Sequence, residues 1–85
     1  MDMKGKIGNT DVNFVEESVI NNVYKSDNGY ITIELKDSLE KYELFHGFFK
    51  QKYFIYFKRD GEMYIIEHQD DKDKILEFIK KIEVE

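Results

Sequence analysis

The chain has 85 residues and contains no cysteine, no proline and no tryptophan. Without cysteine there is neither a disulfide framework nor a zinc–thiolate site, so a domain of this size must be held by its apolar core alone. Without proline, chain reversals fall to glycine and to Asn or Asp, which tolerate positive φ. Alanine is missing too. No stretch approaches the roughly 18 consecutive apolar residues of a membrane span. The opening MDMKGKIG also lacks the apolar run of a signal peptide. These absences lead us to expect a cytoplasmic protein with no membrane association.

What is present narrows the field further. Eighteen acids against thirteen bases leave a net charge of −5. That balance disfavours wholesale binding to nucleic acid or anionic lipid, which calls for a basic footprint. The acids do not gather into a tail-like block. Lysine dominates over a single arginine, and isoleucine is abundant. This bias towards AT-rich codons points to a low-GC bacterium, or to a phage or mobile element within one. The length suits one domain, 1–85.

Three dipeptides mark tight turns: Gly8-Asn9, Asn28-Gly29 and Asp60-Gly61. A two-residue loop at Asp60-Gly61 sorts the flanking residues onto two faces. One face pairs Arg59 with Glu62, Phe57 with Tyr64, Ile55 with Ile66 and Tyr53 with His68, and is expected to end in an Arg59–Glu62 ion pair. The other pairs Lys58 with Met63, Tyr56 with Ile65, Phe54 with Glu67 and Lys52 with Gln69. The turn at Gly8 sets Met3, Ile7, Val12 and Phe14 against Lys4, Lys6, Asp11 and Asn13. In YITIELK, Ile31, Ile33 and Leu35 alternate with polar residues, the period of a half-buried strand. The expected hairpins therefore cover 3–15, 18–36 and 49–69, with a bulge or longer loop in the second.

Residues 38–46 can be read in two ways. As a helix, Asp37 caps the run, Glu40 stands at the third position, and Leu39, Tyr42 and Phe45 share a face before Gly47. As a strand, Tyr42, Leu44 and His46 alternate. The helix is the first choice. For 71–82 the spacing predicts an amphipathic helix with Ile75, Leu76, Phe78, Ile79 and Ile82 on one side, capped by Asp70 or Asp71. The expected fold is α+β: a small, curved, mostly antiparallel sheet of about six strands in a hairpin meander, open to partial closure as a barrel, with the C-terminal helix packed on it. The strand–tight turn–strand–helix ending over 53–82 resembles the last elements of pleckstrin-homology-like domains. That resemblance implies a small barrel holding a peptide or other ligand, but the chain lacks a cluster of basic loop residues to go with it.

Catalytic chemistry finds no footing. Nucleophilic catalysis needs a base positioned beside its nucleophile, and Ser18, Ser26 and Ser38 lie in no recognisable motif with either histidine. His68 with Asp70 or Asp71 could ligate a metal, yet the same residues read as a helix start. We expect no enzyme, no cofactor and no metal. The candidate binding face is Lys50, Lys52, Phe54, Tyr56, Lys58, Met63 and Ile65, where lysines alternate with aromatics. Single-stranded nucleic-acid binders use that arrangement for stacking and phosphate attraction. The first expectation for it is a core beneath the helix with its lysines reaching out to solvent, then a protein interface, and only after these a nucleic-acid face. One helix covers one face of a hairpin, so an uncovered aromatic face must meet sheet closure, a homodimer mate or another protein. The leading expectation is a small inhibitor, an immunity or phage anti-defence (anti-CRISPR-like) protein that occludes a partner such as a nuclease or toxin. A second candidate surface, acidic, comprises Glu16, Glu17, Glu40 and Glu43. The alternatives are a single-stranded nucleic-acid-binding module and the pleckstrin-like ligand domain.

Overall fold

All three turn dipeptides lie between strands. The computed structural model describes residues 3–49 and 51–82 and contains eight strands and one α-helix among them: β1 (Met3–Ile7), β2 (Thr10–Phe14), β3 (Ile20–Lys25), β4 (Ile31–Leu35), β5 (Lys41–Glu43), β6 (Phe45–Phe49), β7 (Lys52–Arg59), β8 (Glu62–Gln69) and α1 (Lys72–Lys80). A short 3-10 turn, Glu17–Val19, joins β2 to β3. Five strands form one sheet in the order β1-β2-β8-β7-β6, and three form another in the order β3-β4-β5. Neither closes into a barrel. The fold is the expected α+β, with two more strands than the expected six.

The extra strands come from residues 38–46, where the helical reading is wrong. Ser38 caps a turn rather than a helix, its Oγ accepting from the Glu40 backbone N–H at 3.0 Å. Leu39, which a helix would have buried, is fully exposed. From Lys41 the chain pairs with β4, and from Phe45 with β7. Strand geometry wins because it turns Tyr42 and Leu44 into the core, where Tyr42 stacks on Phe57 at 5.1 Å between ring centroids. Phe49 thereby belongs to β6 and not to the 49–69 hairpin, and the reversal into β7 passes through Gln51 at φ +67°.

The Asp60-Gly61 loop has both residues at positive φ, +53° and +80°. This suits a two-residue hairpin whose twist matches its strands. The expected register holds from Arg59–Glu62 to Tyr56–Ile65 and then slips by one, because Ile66 is an extra residue on β8. Beyond it Ile55 faces Glu67, Phe54 faces His68 and Tyr53 faces Gln69, in place of the partners expected from even alternation. A bulge of this kind sharpens the local twist. It also turns Ile66 and Glu67 to the same side, with Ile66 in the principal core while Ile65 stays in the other cluster. The expected Arg59–Glu62 ion pair is replaced. Arg59 lies 3.7 Å from Asp37, and Glu62 lies 4.0 Å from Lys4.

The principal core occupies one side of the five-stranded sheet. There Ile55 and Phe57 meet Ile33 and Leu35 of the three-stranded sheet, Leu44 between β5 and β6, and Ile75 of the helix. Phe78 and Ile79 pack around them. Leu76, expected in the stripe, is instead exposed. The helix is capped by Asp71, whose side chain accepts from the Asp73 N–H at 2.9 Å. The N-terminal hairpin joins by parallel pairing of β2 with β8, Val12 to Met63 through Phe14 to Ile65. Asn13, buried in that seam, donates from Nδ2 to the Met63 carbonyl.

Candidate protein-binding face

Helix and second sheet both cover the side of the large sheet that carries Ile55 and Phe57. The alternation of β7 therefore places Phe54, Tyr56 and Lys58 on the opposite side, over which, among the described residues, no second layer lies. Cross-strand register adds Met63, Ile65 and His68 from β8, Phe45 and Phe49 from β6, and Val12 and Phe14 from β2. Of the candidate face, Lys52, Phe54, Tyr56, Lys58, Met63 and Ile65 thus share one surface; Lys50 lies outside the described residues.

This open face has a floor and a rim. Val12, Phe54 and Ile65 are buried, with Ile7, Phe14, Tyr56 and Met63 half-buried around them. They are a small core of their own, so the expectation of a core beneath the helix fails for Phe54 and Ile65. The burial comes from curvature. The sheet curls so far that the Phe49 ring rests on Gly8, leaving no room there for a Cβ, and Gly8 sits at φ +61°. On the rim Phe45 remains 40% and Phe49 45% exposed. Phe45 meets Tyr56 at 5.6 Å, Tyr56 meets Phe54 at 5.6 Å, and Phe14 meets His68 at 5.3 Å between centroids. Tilted rings at these distances form a continuous aromatic surface.

The charges around it are partly spent. Lys52 is held by Asp70 through a direct hydrogen bond and ion pair, while Lys58 is exposed. The hydrogen bond from Lys52, together with its positive charge, keeps the Asp70 carboxyl below its ordinary pKa. The stabilisation from this pair is therefore complete above the usual aspartate range and disappears as pH falls through the lowered pKa of Asp70. In an NMR titration Asp70 is expected to titrate below the ordinary aspartate range, and Lys52→Met should return it to that range. An unchanged midpoint in that variant would refute the assignment.

The other expected residues do not assemble into chemistry. Asp70 pairs with Lys52, Asp71 caps the helix and His68 lies against Phe14. Among the described residues no three His, Asp or Glu side chains gather as a metal site. Ser26 and Ser38 bond within their own turns. Glu16 and Glu17 precede β3, whereas Glu40 and Glu43 lie at β5, across β4 on the far edge of the small sheet. The acidic candidates are exposed but do not form one cluster. A cleft of about 600 Å³ opens where β2 and β8 diverge, lined in part by Lys4, Asp11, Asn13, Lys58, Glu62 and Met63. Its charges are balanced, with Lys6 3.1 Å from Asp11 and Lys4 beside Glu62.

Phe45, Phe49, Val12 and Phe14 were not among the candidate face residues. The first two become legible once FHGFF is read as a strand, because Phe45, Gly47 and Phe49 then fall on the face of Phe54 and Tyr56. Among the described residues no helix is long and apolar enough to cross a membrane. Compared with protein-family models, with curated proteins and with solved structures, the chain matches none.

Proposed function

We propose that this chain is a small protein-binding module that acts by covering a surface of another protein, with the open face of the five-stranded sheet as its working surface. The observation that carries this reading is the one-sided layering. Both the helix and the second sheet serve one face, and the other is left with phenylalanine, tyrosine and methionine inside a charged rim. Interfaces are enriched in aromatic residues and methionine at their centres. The absence of a gathered nucleophile, base or metal set among the described residues supports binding over catalysis. Within this reading the chain is an inhibitor, such as an immunity or phage anti-defence protein in a bacterial cytoplasm, and its partner is a nuclease or toxin. Its net charge of −5 suits a basic partner. With Glu16, Glu17, Glu40 and Glu43 spread over two edges, the acids steer the encounter rather than dock it.

The nucleic-acid reading ranks second, because Lys52 is already paired with Asp70 and phosphate contacts need available cations. A pleckstrin-like ligand domain ranks third, for want of basic loop residues.

The test is a pull-down from host lysate beside Phe45→Ser. That rim residue is 40% exposed and packs on Tyr56, so its loss is expected to cost about 1–2 kcal/mol of stability and the variant is first confirmed to be folded. Wild type should retain one stoichiometric protein and the folded variant should lose it. Equal retention by both would overturn the assignment of the face. Salt-sensitive binding to single strands, with no protein retained, would favour the second reading.

A further inference from the structure

Two sheets present four edge strands among the described residues: β1 and β6, β3 and β5. Natural sheets blunt their edges with charges, bulges or short strands, since an edge offers backbone donors and acceptors to any passing strand. Three of these edges follow that rule. β1 carries Lys4 and Lys6, β3 has an irregular register between Ile20 and Asn22, and β5 has three residues including Lys41 and Glu43. β6 does not. Its five residues, FHGFF, hold no acid, lysine or proline, and its pairing with β7 is regular. Phe45, Phe48 and Phe49 on it are 40%, 56% and 45% exposed.

We propose that β6 is a self-pairing edge: two copies of the chain join antiparallel through β6 about a two-fold axis at Gly47, making one ten-stranded sheet. A two-fold interface requires a strand that is complementary to itself. With Gly47 on the axis, Phe45 faces the second copy's Phe49 on the open side, and His46 faces its Phe48 on the other. Every cross-strand pair of the seam except the central Gly47–Gly47 then contains an aromatic ring, and aromatic pairs are favourable across strands. No like charges oppose one another along it. Glu43 of each copy comes opposite the mate's uncharged Gln51, so no repulsion arises at the ends of the seam.

The area is modest. Exposed ring surface amounts to roughly 300 Å² per copy, taking each aromatic side chain at about 200 Å². With backbone and neighbouring side chains the pairing buries about 1,000 Å² in total, the lower limit for a specific interface. The dimer is therefore weak and concentration-dependent, with a dissociation constant in the micromolar range. It places the two open faces side by side, but does not depend on what those faces bind.

Sedimentation velocity on the wild-type chain, from micromolar to millimolar concentration, should show the weight-average mass double. A chain that remains monomeric throughout would overturn the proposal and leave the edge to a strand of another protein. The register is tested in the same cysteine-free background with His46→Cys and Phe48→Cys, both at exposed positions. Residues directly opposite on paired strands have Cβ atoms about 4.5–5.5 Å apart, near the separation a disulfide bridges. Mixed and gently oxidised, the two variants should yield the linked heterodimer several-fold in excess over either variant alone. Equal linking in all three samples would refute the Gly47-centred pairing.

Discussion

Phe57→Ala should lower the unfolding free energy by about 3–5 kcal/mol, the range for removing a buried aromatic ring. Phe57 is fully buried and stacks between Tyr42 and Tyr64, at 5.1 and 5.2 Å. It thus joins β5 of the small sheet to β8 of the large one. Truncation leaves a cavity whose walls are two rings anchored in separate sheets, so neither can move in to fill it. Small domains have only about 5–15 kcal/mol of stability, which places this variant close to unfolding. In urea, where slopes run about 1–3 kcal/mol per molar, the midpoint should fall by at least about 1 M. A loss below 1 kcal/mol would show that the sheets are not held together at this residue. Leu39→Ala is the matched control, expected to be silent because Leu39 touches solvent on all sides.

Ile65→Ala should cost about 2–3 kcal/mol, towards the lower part of the range for such truncations. Ile65 is 1% exposed although it lies on the open face of its sheet. Its burial depends on Val12, Phe54 and the half-buried Phe14, Tyr56 and Met63, and the flexible Met63 can settle part of the way into the gap. The size of the loss distinguishes two descriptions of the open face. A true second core predicts this range, whereas a face dry only by chance predicts a surface-like effect within about 0.5 kcal/mol. Thermal or chemical denaturation of the purified variant decides between them.

Local chemistry made much of this fold readable. Asp60-Gly61 and Gly8-Asn9 announced their hairpins because positive φ is confined to a few residue types. Asp71 and the Ile75–Ile82 spacing announced the helix. What stayed hidden depends on tertiary partners. The reversal at Gln51 carries neither glycine nor Asn, so nothing local separated β6 from β7, and FHGFF lost its place on the open face. Leu39 and Phe45 fit a helical stripe as well as Tyr42 and Leu44 fit a strand, and only the free edges of β4 and β7 decide between them. The slip at Ile66 is equally silent, since two adjacent isoleucines read alike in either register. For the candidate face, six of its residues were found by alternation on one hairpin. The aromatic rim from β6 and β2 required knowing which strands lie beside it.

The parallel seam between β2 and β8 has a consequence for how the chain comes into being. Asn13 bonds to Met63, fifty positions later, so the β1–β2 hairpin leaves the ribosome well before the strand it pairs with. Long-range parallel pairing forms slowly, because loop closure must be met before any contact rewards it. The seam side of β1–β2, with Val12 and Phe14, accordingly waits for β8 before its pairing is complete. A nascent chain halted before Glu62 would hold every residue of that hairpin, but neither Met63 nor Ile65 for it to pair with.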